Sequence, residues 1–238
     1  MLALDLFSCI GCHALGFYRA GIETKAFCEI NQSRREILSA RFPKAEIHGA
    51  IQFCPNVPAN IVIGGPPCQA TSVAAAIHGK RTGNSLWPWM LSLGINSGAD
   101  WIVVEQPPGN AAWEAKVSDD LSGTGFHVAR IEFGACDIGA PYLRRRVFLV
   151  ACSSLSRLEI AWRAVPSKIE SVKRAANARG DWNPDKLGAL RVDARSAGEM
   201  DKAASRPRRE RIEALGDSNP PHMAEVIGRA IMEANLGR

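Results

Sequence analysis

The stretch IVIGGPPCQA, Ile61 to Ala70, begins like a buried strand and ends in a stiff turn. A short apolar run that stops at glycine is typical of a strand, and the two prolines that follow fix the backbone and remove two N–H donors. Cys68 is therefore predicted to lie at a rigid strand end, where open α/β sheets keep their chemistry and where a thiol can act as a nucleophile. A free cysteine is also among the residues most often packed as a small apolar group. The residues around Cys68 must therefore show whether it is a nucleophile or a packing residue.

Outward from this stretch, strand-like and helical patterns alternate along the first 150 residues. Such alternation predicts an α/β fold with a doubly wound, mostly parallel sheet. A helix that begins with proline is predicted near the end of the chain, and two short helices are predicted in "RLEIAWRAV" and "SVKRAANARG". The predicted strands are "LALDLF", "TKAFCEI", "NIVIGG", "WIVVEQ" and "RRRVFLVAC", with a further strand in "FHVARIEFGACDIGA" before the last.

The bulk composition indicates a soluble globular protein. With 238 residues, 46% of them hydrophobic, the chain can bury one full core with a small appendage. No signal peptide is recognisable at the start, and no apolar run reaches membrane-spanning length, so a cytoplasmic location is expected. Seven cysteines at irregular spacing do not describe a disulfide framework and are expected to be free thiols.

The positive charge is concentrated in the second part of the chain. Residues 1–152 carry 13 Lys and Arg against 12 Asp and Glu, whereas residues 153–238 carry 16 against 12. This imbalance is compatible with a polyanionic partner such as nucleic acid, although so modest an excess is also typical of an ordinary solvated surface.

A glycine-containing turn follows the first predicted strand, in "LDLFSCIGCHALGF". In a doubly wound sheet such a turn lets a nucleotide-like ligand approach the backbone, and Glu29 stands where an acidic residue can bind ribose hydroxyls. The same stretch contains "CIGCH", which matches the spacing of c-type haem attachment, and a Cys-x-x-Cys pair. Neither is favoured, because haem attachment needs export and the two thiols flank the turn where a cofactor would lie. No metal site is expected, since no second close-spaced Cys/His pair is present, although Cys28 or Cys54 could be distant ligands.

Two further groups meet Cys68 at the predicted sheet edge. "WIVVEQPPG" is a second buried strand that ends in Glu105 and a proline pair, and "APYLRRRVFLVA" leads with arginines into a third strand. Taken alone, Glu105 could simply end a strand, and the arginines could simply be solvent-exposed. Together, a thiol, a carboxyl group and guanidinium groups beside a cofactor turn favour an active site.

The order of these motifs resembles the DNA (cytosine-5) methyltransferases, more narrowly their short phage or prophage forms. The resemblance rests on "DLFS", "LGF", "CEI", "GGPPCQ", "VVEQ", "RVF" and "GDSNPPHMAEVIGRAI", and covers residues 2–151 and 206–233. It implies a Rossmann-like S-adenosylmethionine-dependent methyltransferase fold that acts on double-stranded DNA. It also implies that Cys68 adds to cytosine C6, that Glu105 activates the ring as an acid, and that Arg144 and Arg146 assist near the extruded base.

The resemblance assigns further residues to binding. Substrate contacts are implied for Pro67, Gln69 and Ser72. Cofactor contacts are implied for Phe7, Ser8, Gly11, Glu29, Ile30, Pro66, Leu86, Asp217 and Ser218. The implied organisation is a catalytic and cofactor-binding core over residues 1–152, a short basic recognition segment over 153–205, and a carboxy-terminal motif with a helix over 206–238 that returns to the core. A monomer is expected.

Several positions depart from the family pattern. Cys9 and Cys12 stand where glycines are usual, and Gln106 with Pro107 stands in place of asparagine and valine. Tyr142 replaces glutamine or histidine. Two other readings therefore stay open. One is a related cysteine-dependent C5 alkyl transfer with a different donor or a nucleotide substrate, and the other is a degenerate methyltransferase fold that acts as a DNA-binding module.

Overall fold

The computed structural model describes residues 1–67, 85–182 and 217–237, and these form a sheet with helices on both faces. The described strands are β1 Leu2–Leu6, β2 Glu23–Cys28, β3 Glu46–His48, β4 Ile61–Gly64, β5 Trp101–Gln106, β6 His127–Gly134 and β7 Arg145–Cys152. The described α-helices are α1 Cys12–Arg19, α2 Gln32–Arg41, α3 Trp87–Asn96, α4 Ala111–Gly123, α5 Leu155–Arg179 and α6 Pro221–Leu236. Short 3₁₀ turns cover Ile51–Phe53 and Ala135–Ile138.

The seven strands have the order β3-β2-β1-β4-β5-β7-β6. The first five in this order run parallel, and β7 is antiparallel to both of its neighbours. The strand order reverses between β1 and β4, so the carboxyl ends of these two strands form the crevice in which open α/β sheets bind ligands. The predicted doubly wound, mostly parallel sheet is confirmed.

Both faces of the sheet are covered because its central strands are apolar on both sides. Alternate residues such as Ala3, Ile63 and Val103 pack with α1, α5 and α6 on one face. The intervening residues, among them Leu4, Val62 and Ile102, pack with α3 and α4 on the other. The face covered by α1 and α6 is called the α1/α6 face below.

The two short helices predicted after β7 are one continuous helix, α5, and this prediction was wrong. Ser154 caps α5, and the helix passes through Pro166 without ending. Proline removes one backbone hydrogen bond, which sequence reasoning takes as a helix end. Here the buried residues on both sides of it, including Leu158, Val165 and Val172, hold the helix against the core.

Three basic residues of α5 form ion pairs with other residues of the protein. Arg157 contacts Asp100 at 3.1 Å, Lys168 pairs with Glu233 on α6, and Arg179 contacts Asp181 at 2.9 Å. Residues 153–182, the described part of the predicted recognition segment, thus pack on the core. The segment boundaries themselves stay a prediction.

Among the described helices, none is both long and apolar enough to cross a membrane. Likewise, the described residues bring together no group of three or more His, Cys, Asp and Glu side chains suited to a metal ion.

Candidate active site

The turn after β1 is held in an uncommon backbone conformation. Phe7, Cys9 and Gly11 have φ values of 56°, 49° and 80°. A Cβ on Gly11 would lie 2.6 Å from the Phe42 ring, so this position requires glycine. The Ser8 hydroxyl donates to the Asp5 carbonyl at 2.5 Å and accepts from the Cys28 N–H at 3.2 Å, which fixes the turn to the end of β2.

Glu29 is buried immediately after β2, and its side chain accepts hydrogen bonds from the backbone on both sides of the site. Its Oε2 accepts from the Cys9 N–H and its Oε1 accepts from the Asn31 N–H, both at 2.8 Å. A carboxylate oxygen has two lone pairs, so each oxygen can accept a further hydrogen bond. Ile30 follows it and is 75% exposed, which gives the turn an apolar surface beside a carboxylate.

The segment before α6 returns to the same turn. Asp217 contacts Arg34 of α2 at 2.6 Å, and the buried Ser218 donates its hydroxyl to Cys9 Sγ at 3.2 Å. Burial raises the pKa of the Cys9 thiol, and the Ser218 contact opposes this effect. The structure therefore brings together Ser8, Gly11, Glu29 and Ser218, although they come from three distant parts of the sequence.

The turn after β4 is anchored by Gln106. Its side-chain amide, at the end of β5, donates to the Pro66 carbonyl at 3.0 Å, and Gln106 is buried. Leu86 immediately precedes α3 and packs against the apolar cluster on that face. Pro67 is exposed. The predictions for Cys68, Gln69 and Ser72 lie outside the described residues.

Glu105 lies at the carboxyl end of β5, next to β4, as predicted. Its Oε1 is 2.6 Å from Arg146 Nε, an ion pair in which both side chains are largely buried. Among the described residues, Oε1 accepts no hydrogen bond besides this ionic contact. A Cβ on Gly65 would lie 2.7 Å from Glu105 Oε2, which shows that the carboxylate leans over the glycine at the end of β4.

Arg144 has a different setting from Arg146. It has a φ of 32°, and its Nη2 donates to the Ser218 carbonyl at 2.6 Å. Burial lowers the pKa of Arg144, and the nearby charge of Arg146 lowers it further. Arg146 thus contacts the carboxylate, whereas Arg144 joins the start of β7 to the carboxy-terminal segment.

Sequence reasoning missed Asp5 and His13, which lie beneath this site. Asp5 is fully buried within β1, and His13 Nδ1 lies 3.6 Å from its Oδ1. An acidic residue inside the apolar run "LALDL" is the signal that could have revealed the pair, because a buried carboxylate requires a partner.

Comparison with known proteins identifies the family of this chain. The family model for C-5 cytosine-specific DNA methylase matches residues 1–186. The chain belongs to this family. Among curated proteins it is similar to the Type II methyltransferase M2.BsuMI of Bacillus subtilis (strain 168), with 30% identity over 164 residues. That match covers 63% of this chain and 42% of the relative, so the chain spans less than half the length of this relative.

Solved structures support the fold of this family member. A DNMT2 variant of Spodoptera frugiperda has a TM-score of 0.54 and 21% identity, over 65% of this chain and 51% of that one. The Entamoeba histolytica methyltransferase EhMeth has a TM-score of 0.53 and 18% identity, over 66% and 54%. At this level of identity the likeness establishes the shared Rossmann-like architecture.

Proposed function

We propose that this chain transfers a methyl group from S-adenosylmethionine to C5 of cytosine in double-stranded DNA. Family membership supports the reaction class. The observation that carries the proposal is the Glu105–Arg146 pair, which lies at the end of β5 beside the turn that leads to Cys68. A carboxyl group and a guanidinium group thus meet at one edge of the sheet, next to a turn suited to a cofactor, and Cys68 follows the described part of the β4 turn directly in the sequence.

The residues after β1 and β2 fit S-adenosylmethionine. Glu29 retains acceptor capacity for ribose hydroxyls, and exposed Ile30 offers an apolar surface to adenine. Ser218 brings a hydroxyl to the opposite side of the turn. When bound, the cofactor supplies an electrophilic methyl group on a sulfonium. Phe7, Ser8, Pro66, Leu86 and Asp217 complete the proposed set.

The chemistry needs a nucleophile because C5 of cytosine reacts poorly with a methyl sulfonium. In the proposed sequence, the Cys68 thiolate adds to C6, and Glu105 as a carboxylic acid donates a hydrogen bond to ring N3, which neutralises the charge that develops on the ring. C5 then takes the methyl group. A water molecule accepts the C5 proton, the electrons of the C5–H bond form the C5–C6 double bond, and the C6–S bond breaks so that Cys68 leaves as a thiolate.

Arg146 and Arg144 support this sequence in different ways. Arg146 contacts Glu105 and orients its carboxyl group, and Arg144 joins the start of β7 to the carboxy-terminal segment. The reaction requires a cytosine rotated out of the duplex, at a cost of a few kcal/mol that backbone contacts offset. Pro67, Gln69 and Ser72 are the proposed contacts to the flipped nucleotide.

A trapping experiment tests this function. Duplex DNA that contains 5-fluorocytosine cannot lose its C5 substituent, so it is expected to hold the protein as a denaturation-resistant adduct when S-adenosylmethionine is present. Cys68→Ala is expected to abolish the adduct, whereas Cys152→Ala, at the opposite end of the sheet, is expected to form it. An adduct that persists in Cys68→Ala removes Cys68 from the mechanism.

Calorimetry with S-adenosylmethionine distinguishes the proposed function from the two alternatives, a different methyl or alkyl donor and a DNA-binding module without activity. Cys9 places a side chain in the cofactor turn at a φ of 49°, which is the one observation that favours an altered donor. Binding of S-adenosylmethionine together with methylation of duplex DNA supports the proposed function. DNA binding without cofactor binding indicates a DNA-binding module instead.

A further inference from the structure

Three consecutive apolar side chains are exposed beside the candidate active site. Pro141, Tyr142 and Leu143 directly precede Arg144, and the exposed fractions of Tyr142 and Leu143 are 43% and 72%. Single exposed apolar residues are common on protein surfaces, but a run of three is unfavourable unless it serves a function. These three residues are called the 141–143 edge below.

The sheet register places the 141–143 edge on the side of the sheet that binds ligands. β7 runs antiparallel to β5, and Val147 pairs with Gln106, the last residue of β5. The residues that precede β7 therefore extend beyond the carboxyl ends of the parallel strands, where open α/β sheets bind their ligands. Arg146, four positions after Tyr142, contacts Glu105 at 2.6 Å. The 141–143 edge is thus continuous with the candidate active site.

The ring of Tyr142 has a fixed support inside the fold. It lies edge-on to Trp182, with ring centroids 6.2 Å apart and an interplanar angle of 88°. Trp182 packs on the α1/α6 face, where its ring centroid is 4.5 Å from that of His222 and its Nε1 donates to the Ile138 carbonyl at 3.1 Å. A ring that is already held in place loses little conformational freedom when it binds a partner.

Arg144 fixes the other end of the 141–143 edge. Its backbone carbonyl accepts from the Ala135 N–H at 3.3 Å, and its Nη2 donates to the Ser218 carbonyl at 2.6 Å. A Cβ on Gly134 would lie 2.7 Å from the Leu143 carbonyl, so β6 approaches this backbone closely. The edge therefore joins a fixed aromatic ring to an adjacent guanidinium group. Aromatic rings beside positive charge suit a partner that carries both bases and phosphates.

We propose that the 141–143 edge contacts the substrate duplex and that the ring of Tyr142 stacks on a base next to the extruded cytosine. This proposal rests on the proposed function, because the duplex must lie across the sheet edge that carries Glu105. Extrusion of a cytosine breaks the base stack and uncovers the faces of its neighbours. An aromatic ring can cover such a face in any sequence, since every base has a π-face. Tyr142 thereby holds the opened duplex without reading it.

Fluorine NMR tests the contact without any need for activity. The chain contains two tyrosines, so protein labelled with 3-fluorotyrosine gives two signals, and the one that is missing in Tyr142→Phe identifies Tyr142. The probe is a duplex of about 20 base pairs with one cytosine opposite adenine, because a mismatch lowers the cost of extrusion. The duplex is expected to shift the Tyr142 signal. The signal of Tyr18, exposed in the last turn of α1 and thus at the end of this helix away from the site, is expected to stay unchanged.

Fluorescence anisotropy with the same duplex separates a DNA contact from a merely structural role. Tyr142→Ala is expected to weaken DNA binding at least about fivefold, whereas Tyr142→Phe, which keeps the ring, and Tyr18→Ala are expected to stay within about twofold of wild type. Affinity for S-adenosylmethionine, measured by calorimetry, is expected to be the same in all of these variants.

The outcomes distinguish this proposal from the proposed function. An unmoved Tyr142 signal in DNA-bound protein, or wild-type DNA affinity in Tyr142→Ala, overturns the role of Tyr142 and leaves the proposed function standing. A shifted Tyr142 signal and weaker DNA binding by Tyr142→Ala, in a protein that does not methylate DNA, support the contact and refute the proposed function. A protein that binds no duplex refutes both.

Discussion

At the scale of single residues, the position of Glu105 depends on an absent side chain at Gly65. The carboxylate lies over this glycine, and a Cβ there would come within 2.7 Å of Oε2. Gly65→Ala is expected to fold, because the far end of the Glu105 side chain can move aside. The displaced carboxylate is then expected to lower kcat by about 10²-fold, since errors of about 1 Å in catalytic geometry have this effect.

A matched glycine makes this prediction specific. Gly123→Ala adds the same methyl group at a helix end where no atom lies within 4 Å, and its activity is expected to equal that of wild type. Methyl transfer from tritiated S-adenosylmethionine to duplex DNA measures both variants. Full activity of Gly65→Ala would show that Glu105 needs no fixed position over β4.

The acid role of Glu105 is predicted to appear in turnover and not in binding. Glu105→Gln keeps the size of the side chain but cannot supply the proton, so kcat is expected to fall by on the order of 10²–10⁴. Binding of DNA and of S-adenosylmethionine, measured by fluorescence anisotropy and calorimetry, is expected to stay within a few-fold of wild type. Near-normal turnover in a folded Glu105→Gln protein would contradict the assignment.

At the scale of elements, the continuous helix α5 tolerates a proline that the fold does not require. Pro166 is exposed inside the helix and removes a backbone hydrogen bond. Pro166→Ala is expected to raise the free energy of unfolding by about 1–3 kcal/mol, because helix propensity is regained and the packed face is untouched. Thermal unfolding measures this as a Tm increase of several degrees.

The control for this substitution is Glu170→Ala, at another exposed position of α5. It is expected to change the Tm little, since alanine and glutamate have similar helix propensities. A lower Tm for Pro166→Ala would indicate that the packing of α5 on α6 needs a kink at this point.

Elements were predictable from the sequence where one strong local signal dominates. Strands β1, β4, β5 and β7 read as apolar runs, and α6 reads as an amphipathic helix opened by proline. The short strand β3 carries only three residues, and α4 shows only a sparse buried stripe that includes Val117 and Leu121. In β3 and α4 the local sequence pattern is too weak to predict the element, and tertiary packing determines the secondary structure.

The candidate site was only partly predictable from the sequence, because only some of its residues lie in a strong local pattern. Glu29, Glu105, Arg144 and Arg146 lie at or next to the ends of strands, and the order of the motifs in the sequence predicts these positions. The contact of Arg144 with Ser218 and the contact of His13 with Asp5 join residues far apart in the chain or on different elements. Their geometry follows from how α6 and α1 pack on the sheet, and no spacing in the sequence encodes it.

At the scale of the whole molecule, the basic residues of α5 fall into two groups, those that form ion pairs with other elements and those that are exposed. Arg157, Lys168 and Arg179 form ion pairs with Asp100, Glu233 and Glu225, which join α5 to the rest of the fold. Arg163 and Arg174 are exposed on α5, and within the described ranges Arg163 contacts Glu159 of its own helix at 3.7 Å. Exposed arginines of this kind suit phosphate contacts, which position a duplex without reading its sequence.

DNA binding is therefore predicted to depend steeply on salt. Each phosphate contact contributes about 0.9 to the slope of log K against log salt for duplex DNA. Arg163→Ala combined with Arg174→Ala is expected to lower that slope by up to about 2 while changing affinity equally for all sequences. A slope unchanged from wild type in the double variant, measured by anisotropy titrations at several salt concentrations, would remove α5 from the DNA interface.

The recognition sequence is predicted to be short or degenerate. Each good bidentate contact to a base edge discriminates by about 1–3 kcal/mol, so the number of base pairs read scales with the surface that enters the groove. One face of α5 packs on the core, so the residues of that face are not available for base contacts. Bisulfite sequencing of a plasmid from cells that express the protein is expected to show modified cytosines in contexts of a few bases, and none in Cys68→Ala. Modification confined to a strict target of six or more specified base pairs would refute this prediction, because so long a target requires more base contacts than a short recognition segment can present.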